Sequence, residues 1–200
     1  LSPNGNVISA SVDLNHIVFD VAAPQQFTTI GNGQPYDFST DGRFHTWILV
    51  DVLTPTKSSA IWLYDRASGN NIPITQDTKY SGEPSINGDG SLVVFESELG
   101  TLTGATDNNG LQDVFLFDAT VPRYTRLTPE NANGNSSFPD ISADGRVIAF
   151  ACEANNLGLA DNNLFSDIIV QIEGQQFNIT GNADNQSSLP RLSADGRFVA

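Results

Sequence analysis

Two loops of this 200-residue chain carry oxygen-bearing side chains at a spacing that could bind a metal ion. Each loop reads D-x-N-x-x-x-D, so carboxylate and amide oxygens stand at its first, third and seventh positions. Calcium takes roughly six to eight oxygen ligands, and Asp and Asn residues in a loop can supply them. Calcium is therefore the candidate cofactor. The predicted ligands are Asp107, Asn109 and Asp113 in the first loop, and Asp161, Asn163 and Asp167 in the second.

The same loops have a purely structural interpretation. Their fifth position is Leu111 or Phe165, and no glutamate closes the run at position twelve, so neither loop is an EF-hand. Asp and Asn side chains often accept hydrogen bonds from backbone amides two residues further along the chain. Asx turns at Asp107 and Asp161 therefore compete with calcium binding, and the composition of the loops favours the turns.

The other reactive side chains indicate structure rather than chemistry. His16 and His45 fall within predicted strands and are expected to pack there. Cys152 follows a strand without a basic neighbour in sequence, which is typical of an unreactive thiol. The chain has no G-x-S-x-G, H-E-x-x-H or C-x-x-C motif and no phosphate-binding glycine loop. We therefore predict no catalytic residue, and no cofactor-binding residue apart from the calcium ligands.

A second set of acidic residues lies in short turns that recur along the chain. Asp41, Asp89, Asp144 and Asp195 each precede a glycine in S-x-D-G-like segments. An Asp-Gly turn joins two antiparallel strands because the aspartate bonds its own backbone and the glycine accepts a positive φ. Recurrence at equivalent positions therefore favours a structural role for these four aspartates.

These turns mark an internal repeat. Their glycines are Gly5, Gly42, Gly90, Gly145 and Gly196, and the steps between them are 37, 48, 55 and 51 residues. Self-similarity at such a period is typical of repeat architectures. The fold must therefore be built from several copies of one small unit.

Each repeat predicts four short strands and no helix. In the fourth repeat they are expected at 138–142, 147–151, 167–172 and 176–180, and the third repeat places the equivalent third strand at 113–118. Aromatic residues recur at the strand positions and are expected to pack between stacked sheets. They are Trp47, Trp62, Phe95, Phe115, Phe117 and Phe150.

This pattern resembles the WD40-like propeller repeats of TolB type, whose blade reads roughly P-x-I-S-x-D-G-x-x-(I/V/L)-(A/V)-F, then a D-x-N loop, then D-(I/V)-(F/W/Y)-(L/V)-x-D. The segments ISADGRVIAF, SELGTLTGATDNNGLQDVFLFD and AIWLYDRASG carry the resemblance, which covers essentially the whole chain. It implies an all-β β-propeller of four-stranded antiparallel blades. It does not select a function, because such propellers serve in protein contacts, surface adhesion, lyase sites and the gating of peptidases.

The repeats predict one propeller segment with blades at 1–31, 32–80, 81–132, 133–184 and 185–200. Three of these blades are complete, and the first and last are partial. Propellers close into rings of roughly four to eight blades. We therefore expect this chain to be part of a larger ring of roughly six to eight blades, and the lack of any Met agrees with a processed or truncated product.

Charge narrows the range of partners. Asp and Glu number 23 against 9 Lys and Arg, which gives a net charge of −14. This charge repels phosphate backbones and anionic lipid surfaces, and no apolar stretch is long enough to span a bilayer. Neither nucleic acid nor membrane insertion is expected. Few lysines, many small polar residues and the resemblance together predict an exported protein, in the periplasm or at the cell surface.

We interpret the chain as a non-catalytic exported propeller that binds a protein partner or a cell-surface component. The binding surface is expected in the variable loops at 52–59, 97–112 and 153–166, since a rigid scaffold with differing loops is how such folds gain specificity. Two alternatives stay open. The chain could be the propeller domain of a larger prolyl-oligopeptidase-like hydrolase or polysaccharide lyase, or an architectural subunit that self-assembles through exposed blade edges.

Overall fold

The chain folds into short antiparallel strands. The structure, a computed structural model, describes residues 1–12, 15–21, 27–50, 58–76, 79–105 and 107–200. Among these residues there is no helix, and so none that could cross a membrane. The strands are β1 (Val7–Val12), β2 (Asn15–Asp20), β3 (Phe27–Asn32), β4 (Gln34–Phe38), β5 (Phe44–Val50), β6 (Ser59–Asp65), β7 (Asn70–Pro73), β8 (Ser81–Ile86), β9 (Leu92–Ser97), β10 (Asp113–Asp118), β11 (Arg123–Arg126), β12 (Ser136–Ile141), β13 (Val147–Cys152), β14 (Asp167–Ile172) and β15 (Gln175–Asn178).

The strands form four sheets in chain order, which we call blades. Blade 1 contains β1 to β3, and blades 2, 3 and 4 contain β4 to β7, β8 to β11 and β12 to β15. Beyond them, Leu192 and Val199 form a single antiparallel bridge. The prediction of an all-β fold with four-stranded antiparallel blades is confirmed. The ring size stays a prediction.

The third strands coincide with their predicted ranges, whereas other strands shift at their ends. The first strand of blade 4 begins at Ser136 and not at Phe138, because a bulge between Ser137 and Asp140 lengthens it. The fourth strand ends at Asn178, two residues before the predicted end at 180. The Asn178 side-chain oxygen accepts the Thr180 amide, so this amide does not pair with the neighbouring strand.

The turn between the first and second strands has the same chemistry in successive blades. In blade 4, Asp144 Oδ1 accepts the Arg146 amide at 3.1 Å and the Ser142 hydroxyl at 2.7 Å. Gly145 takes a φ of 74°. Asp41, Asp89 and Asp195 accept the equivalent amide in their own turns. The structural role predicted for the four aspartates is confirmed.

The core lies between adjacent blades, so both faces of an inner blade are apolar. Alternate residues of one strand point to opposite faces. In β9, Phe95 packs toward blade 2 whereas Val94 packs toward blade 4. Burying such a side chain contributes roughly 1.5–3 kcal/mol. Of the six aromatic residues predicted in the core, Trp62 is half-buried and the other five are buried.

Side chains on the first strands bind the backbone of the next blade. Asp37 Oδ2 accepts the Ile86 amide at 3.0 Å, and Asp140 Oδ2 accepts the Leu192 amide at 2.7 Å. Blade 3 has Ser85 at the equivalent position, and its hydroxyl bridges Asp37 and Asp140 at 3.2 and 2.9 Å. We call this set of bonds the inter-blade clamp.

A second row of bonds joins the turns themselves. Thr40 donates its amide to the Gly88 carbonyl, Gly88 to Ala143, and Ala143 to Ala194, at 2.8, 2.8 and 2.9 Å. In a four-stranded antiparallel blade, the first and third connections lie at one end and the second connection at the other. We call the first end the turn rim. The opposite end, which carries the loops 98–112 and 153–166, is the loop rim. Of the third predicted binding loop, 52–59, all but residues 58 and 59 lies outside the described residues.

The turn glycines provide a test of this arrangement. Gly90 has a φ of 77°, and a Cβ there would meet the Phe44 ring. Gly69 has a φ of 75° but open space around it. We expect Gly69→Ala to lower the free energy of unfolding by about 1 kcal/mol through backbone strain, and Gly90→Ala to lower it further through the added clash. Urea denaturation measures both, and equal losses would contradict the blade 2 to blade 3 packing.

Candidate functional site

The first D-x-N loop, in blade 3, is folded by its own side chains. Asp107 Oδ1 accepts the amides of Asn109 and Gly110, each at 3.2 Å, and Asn109 Oδ1 accepts the Leu111 amide at 2.8 Å. These are the Asx turns that the sequence favoured. Asp113 lies at the start of β10 and is 1% exposed.

Arg126 supplies the positive charge beside the aspartates of this loop. Arg126 Nη2 lies 2.9 Å from Asp113 Oδ2 and 3.5 Å from Asp107 Oδ1, and the guanidinium stands over the Phe115 ring. Burial raises the pKa of the Asp113 carboxyl, while the Thr128 hydroxyl, at 2.7 Å, and the charge of Arg126 oppose that rise. Calcium at this loop would have to displace a buried guanidinium.

The second D-x-N loop, in blade 4, has the same turns without the arginine. Asp161 Oδ1 accepts the amides of Asn163 and Leu164 at 3.1 and 3.4 Å, and Asn163 Oδ1 accepts the Phe165 amide at 2.8 Å. The Asn163 amide group donates to Asp167 Oδ1 at 3.1 Å. The structure therefore brings Asn163 and Asp167 into contact.

Neutral donors surround Asp167 where Asp113 has a cation. Asn178, at the strand position of Arg126, donates to Asp167 Oδ2 at 2.7 Å, and the Thr180 hydroxyl donates to Oδ1 at 2.9 Å. Within the part of the chain that the structure describes, no three His, Cys, Asp or Glu residues group as a metal site. Calcium binding through the six predicted ligands stays a prediction, and blade 4 is its less obstructed location.

A cavity of about 290 Å³ lies beside the first strands of blades 2, 3 and 4. Its polar lining includes Asp37, Glu83 and Asp140, and Arg191 closes one side. Glu83 has a φ of 45° and Phe138 a φ of 53°, both unusual for residues with a side chain. Each sits in a bulge of its strand, and the bulges place these two side chains at the cavity.

The carboxylates of the cavity are already occupied by hydrogen bonds. Asp37 and Asp140 belong to the inter-blade clamp, and each also accepts the amide of the residue that follows it. Burial raises the pKa of Asp37, and the bonds from the Ile86 amide and its other donors oppose that rise. The Tyr36 hydroxyl donates a hydrogen bond to Glu83 at 3.3 Å. These groups hold the wall of the cavity in shape.

A buried glutamate supports the same wall from behind. Glu96 in β9 is 3% exposed, and it accepts the Tyr80 hydroxyl and the Phe138 amide, both at 2.7 Å. Burial raises the pKa of Glu96, with the two hydrogen bonds opposing. The Phe138 bulge is therefore fixed by a side chain of the preceding blade. At the cavity itself, burial and the neighbouring Glu83 raise the pKa of Tyr36 to about 12.

The two histidines form a buried pair between blades 1 and 2, which the sequence did not reveal. Both are fully buried, and their Nε2 atoms lie 2.6 Å apart. His45 Nδ1 is 3.0 Å from the Asp37 carbonyl, so Nδ1 carries a proton and Nε2 accepts one from His16. His16 Nδ1 then has no hydrogen-bond partner among the described residues. Burial lowers the pKa of His16 to about 4 and that of His45 to about 3.

The single cysteine has the buried environment expected of an unreactive thiol. Cys152 is 1% exposed, and its sulfur accepts the Ser136 hydroxyl at 3.1 Å. Burial raises the pKa of the thiol, which disfavours the nucleophilic thiolate.

Comparison with known proteins identifies the fold. No protein-family profile and no curated sequence matches the chain. Among solved structures, TolB from Acinetobacter baumannii matches all of this chain with a TM-score of 0.60 and 20% identity. An oligogalacturonate lyase in complex with manganese matches all of it with a TM-score of 0.65 and 15% identity. A prolyl endopeptidase matches 94% with a TM-score of 0.57 and 11% identity.

These similarities show a TolB-like β-propeller fold and nothing more specific, because all three identities are low. The chain spans 44% of the Acinetobacter TolB chain, 56% of the lyase and 30% of the endopeptidase. The resemblance inferred from the repeats is thereby confirmed at the level of fold. Activity and partners do not follow from fold.

Thermal melting decides between calcium binding and the purely structural interpretation of the D-x-N loops. Asp107 and Asp113 share Arg126, and Asp167 has protein donors on both oxygens, so the structural interpretation is favoured; it predicts the same melting temperature in excess EDTA and in excess calcium chloride. A melting temperature that rises with calcium concentration would show binding to the folded state. Loss of that rise in Asp161→Asn, with Asp107→Asn as the comparison, would place the ion in blade 4.

The histidine pair predicts a loss of stability in mild acid. The unfolded histidines titrate near 6.5. Both pKa values are lower in the folded state, so burial of the neutral histidines contributes its full stability above pH 6.5. That contribution is lost as the pH falls toward 4. A fall from about pH 7.5 to about pH 5 should lower the free energy of unfolding by about 2 kcal/mol for each histidine, because the unfolded chain binds the protons more tightly.

The other blades supply the matched variant for this test. Val114 stands at the strand position of His16, and Ile148 at that of His45. The double variant His16→Val, His45→Ile should unfold in urea with a much flatter pH dependence over this range. An unchanged pH dependence would mean that other groups cause the acid sensitivity.

Proposed function

We propose that this propeller is a non-catalytic, exported platform that binds another protein or a cell-surface component. One observation carries the proposal. Two of the three carboxylates at the cavity, Asp37 and Asp140, each accept two backbone amides, one from their own strand and one from the segment that follows in the ring. A general acid or base needs a free position beside the reacting group, and these two groups instead fix the shape of a surface.

The loop rim supplies the variation that binding requires. The loops 98–112 and 153–166 share their Asx turns but differ in the residues they expose. A rigid scaffold with differing loops is a common arrangement in binding proteins. The net charge of −14 favours a partner with a basic surface.

Export to the periplasm or the cell surface is part of the proposal. Its support is the lysine-poor, Asn- and Ser-rich composition together with the TolB-like fold. The acidic surface gives no support to nucleic-acid binding.

The propeller of a larger hydrolase or lyase is an equally open alternative, since the similar structures include an oligogalacturonate lyase and a prolyl endopeptidase. A self-assembling subunit that pairs through exposed blade edges is the second alternative.

Site-specific photo-crosslinking in the native host tests the binding proposal. A crosslinking amino acid at Tyr36, 40% exposed at the cavity, should join the native protein to a defined partner. The same amino acid at Val121, 58% exposed on the turn rim, should not. Equal crosslinking at both positions would contradict a specific surface, and turnover of a peptide or of polygalacturonate by the native protein would favour the alternative.

A further inference from the structure

The tip of the blade 4 loop exposes a leucine in an unfavourable backbone conformation. Leu164 has a φ of 61° and is 79% exposed, the most exposed large apolar residue of those the structure describes. The left-handed region is unfavourable for a leucine, and no contact of an exposed side chain compensates for it. Folding alone gives no reason for a leucine at this position.

The equivalent loop of blade 3 shows what the fold itself prefers. There the same position is Gly110, with a φ of 64°. Gly110 is exposed and a Cβ built on it meets nothing within 4 Å, although blade 4 packs against blade 3. A neighbouring blade therefore does not cover this backbone position.

The loop presents Leu164 together with Phe165, which is 44% exposed. Asp161 accepts the Leu164 amide and Asn163 accepts the Phe165 amide. Asn163 is itself held by Asp167 and by the Thr180 carbonyl. The two apolar side chains thus stand on a preorganised backbone, which lowers the entropy lost when such a loop binds. We call this pair the apolar knob.

The loop that carries the knob has only negative charge. Between Arg146 and Arg191 the sequence has five acidic residues and no Lys, Arg or His, and two of the five, Glu153 and Asp161, lie in this loop. An anionic lipid surface would be repelled by these charges. A protein pocket with an apolar floor and a basic rim complements both the knob and its charge.

We propose that Leu164 and Phe165 are the anchor through which this propeller binds a protein partner whose apolar pocket is bordered by lysine or arginine. The inference rests on the proposed binding function and locates it on the loop rim of blade 4. Leucine in place of glycine then exchanges stability for contact area, as is common at binding sites.

Selection of peptides on the native protein tests the knob. A random dodecapeptide library displayed on phage is the probe, and enriched peptides are measured by fluorescence anisotropy. We expect enriched sequences to combine apolar residues with Lys or Arg. Leu164→Gly, which copies blade 3, should weaken their binding by about tenfold or more, the loss typical of an anchor residue.

Stability separates a binding role from a structural one. Leu164→Gly should melt at the same temperature as the natural chain or higher, since glycine relieves the strain. The control Val121→Ser, on the turn rim, should keep affinity within about twofold. Peptides that bind Leu164→Gly as tightly as the natural chain, no enrichment at all, or a lower melting temperature for that variant would each overturn the proposal.

Two further outcomes distinguish the knob from the wider function. Knob-dependent binding to phosphatidylglycerol vesicles would overturn the protein partner in favour of a membrane. If position 36 crosslinks a partner in the host but peptide affinity does not depend on Leu164, the binding function is supported and the apolar knob is not its anchor. If neither surface binds, both proposals fail.

Discussion

The inter-blade clamp is the contact on which the remaining geometry depends. A hydrogen bond from a backbone amide to a carboxylate is stronger than one between neutral groups. Asp37 accepts such a bond from the first strand of blade 3, and Asp140 accepts one from Leu192, in the segment that follows blade 4. The position of each blade relative to its neighbour, and hence the cavity between the first strands, follows from these few bonds and from the apolar layers behind them.

A repeated scaffold lets equivalent positions take different chemistry without changing the fold. Arg126 and Asn178 occupy the same strand position, yet Arg126 forms ion pairs with two aspartates and Asn178 donates a hydrogen bond from a neutral amide. Gly110 and Leu164 occupy the same left-handed loop position, yet only one presents an apolar side chain. Specificity in this chain is therefore expected where blades differ, because shared residues are committed to the turns and the clamp.

The repeat pattern was sufficient to predict the blades but not the contacts between them. Alternating apolar residues and Asp-Gly turns are local signals, and they placed the third strands at 113–118 and 167–172 as observed. The His16 and His45 pair joins residues on different blades, and no local pattern brings their side chains together. The Phe138 bulge was missed for the same reason, since Glu96 from the preceding blade fixes it.

The candidate site was predictable in part. The D-x-N loops were correctly expected to form Asx turns, because those bonds join residues two apart. Arg126 was missed because it reaches Asp113 only across the pairing of β10 with β11. The cavity was missed because strands distant in sequence form its wall. A partial signal was present, since the residues before Ile86, Ile141 and Leu192 differ among blades while those around them recur.

Native-state hydrogen exchange at Leu192 tests the inter-blade clamp most directly. If Asp140 holds this amide, Leu192 should exchange slowly in the natural chain, and Asp140→Ala should accelerate Leu192 while leaving Ile86, held by Asp37, slow. Rapid exchange of Leu192 in the natural chain, or the same protection with and without Asp140, would contradict the account.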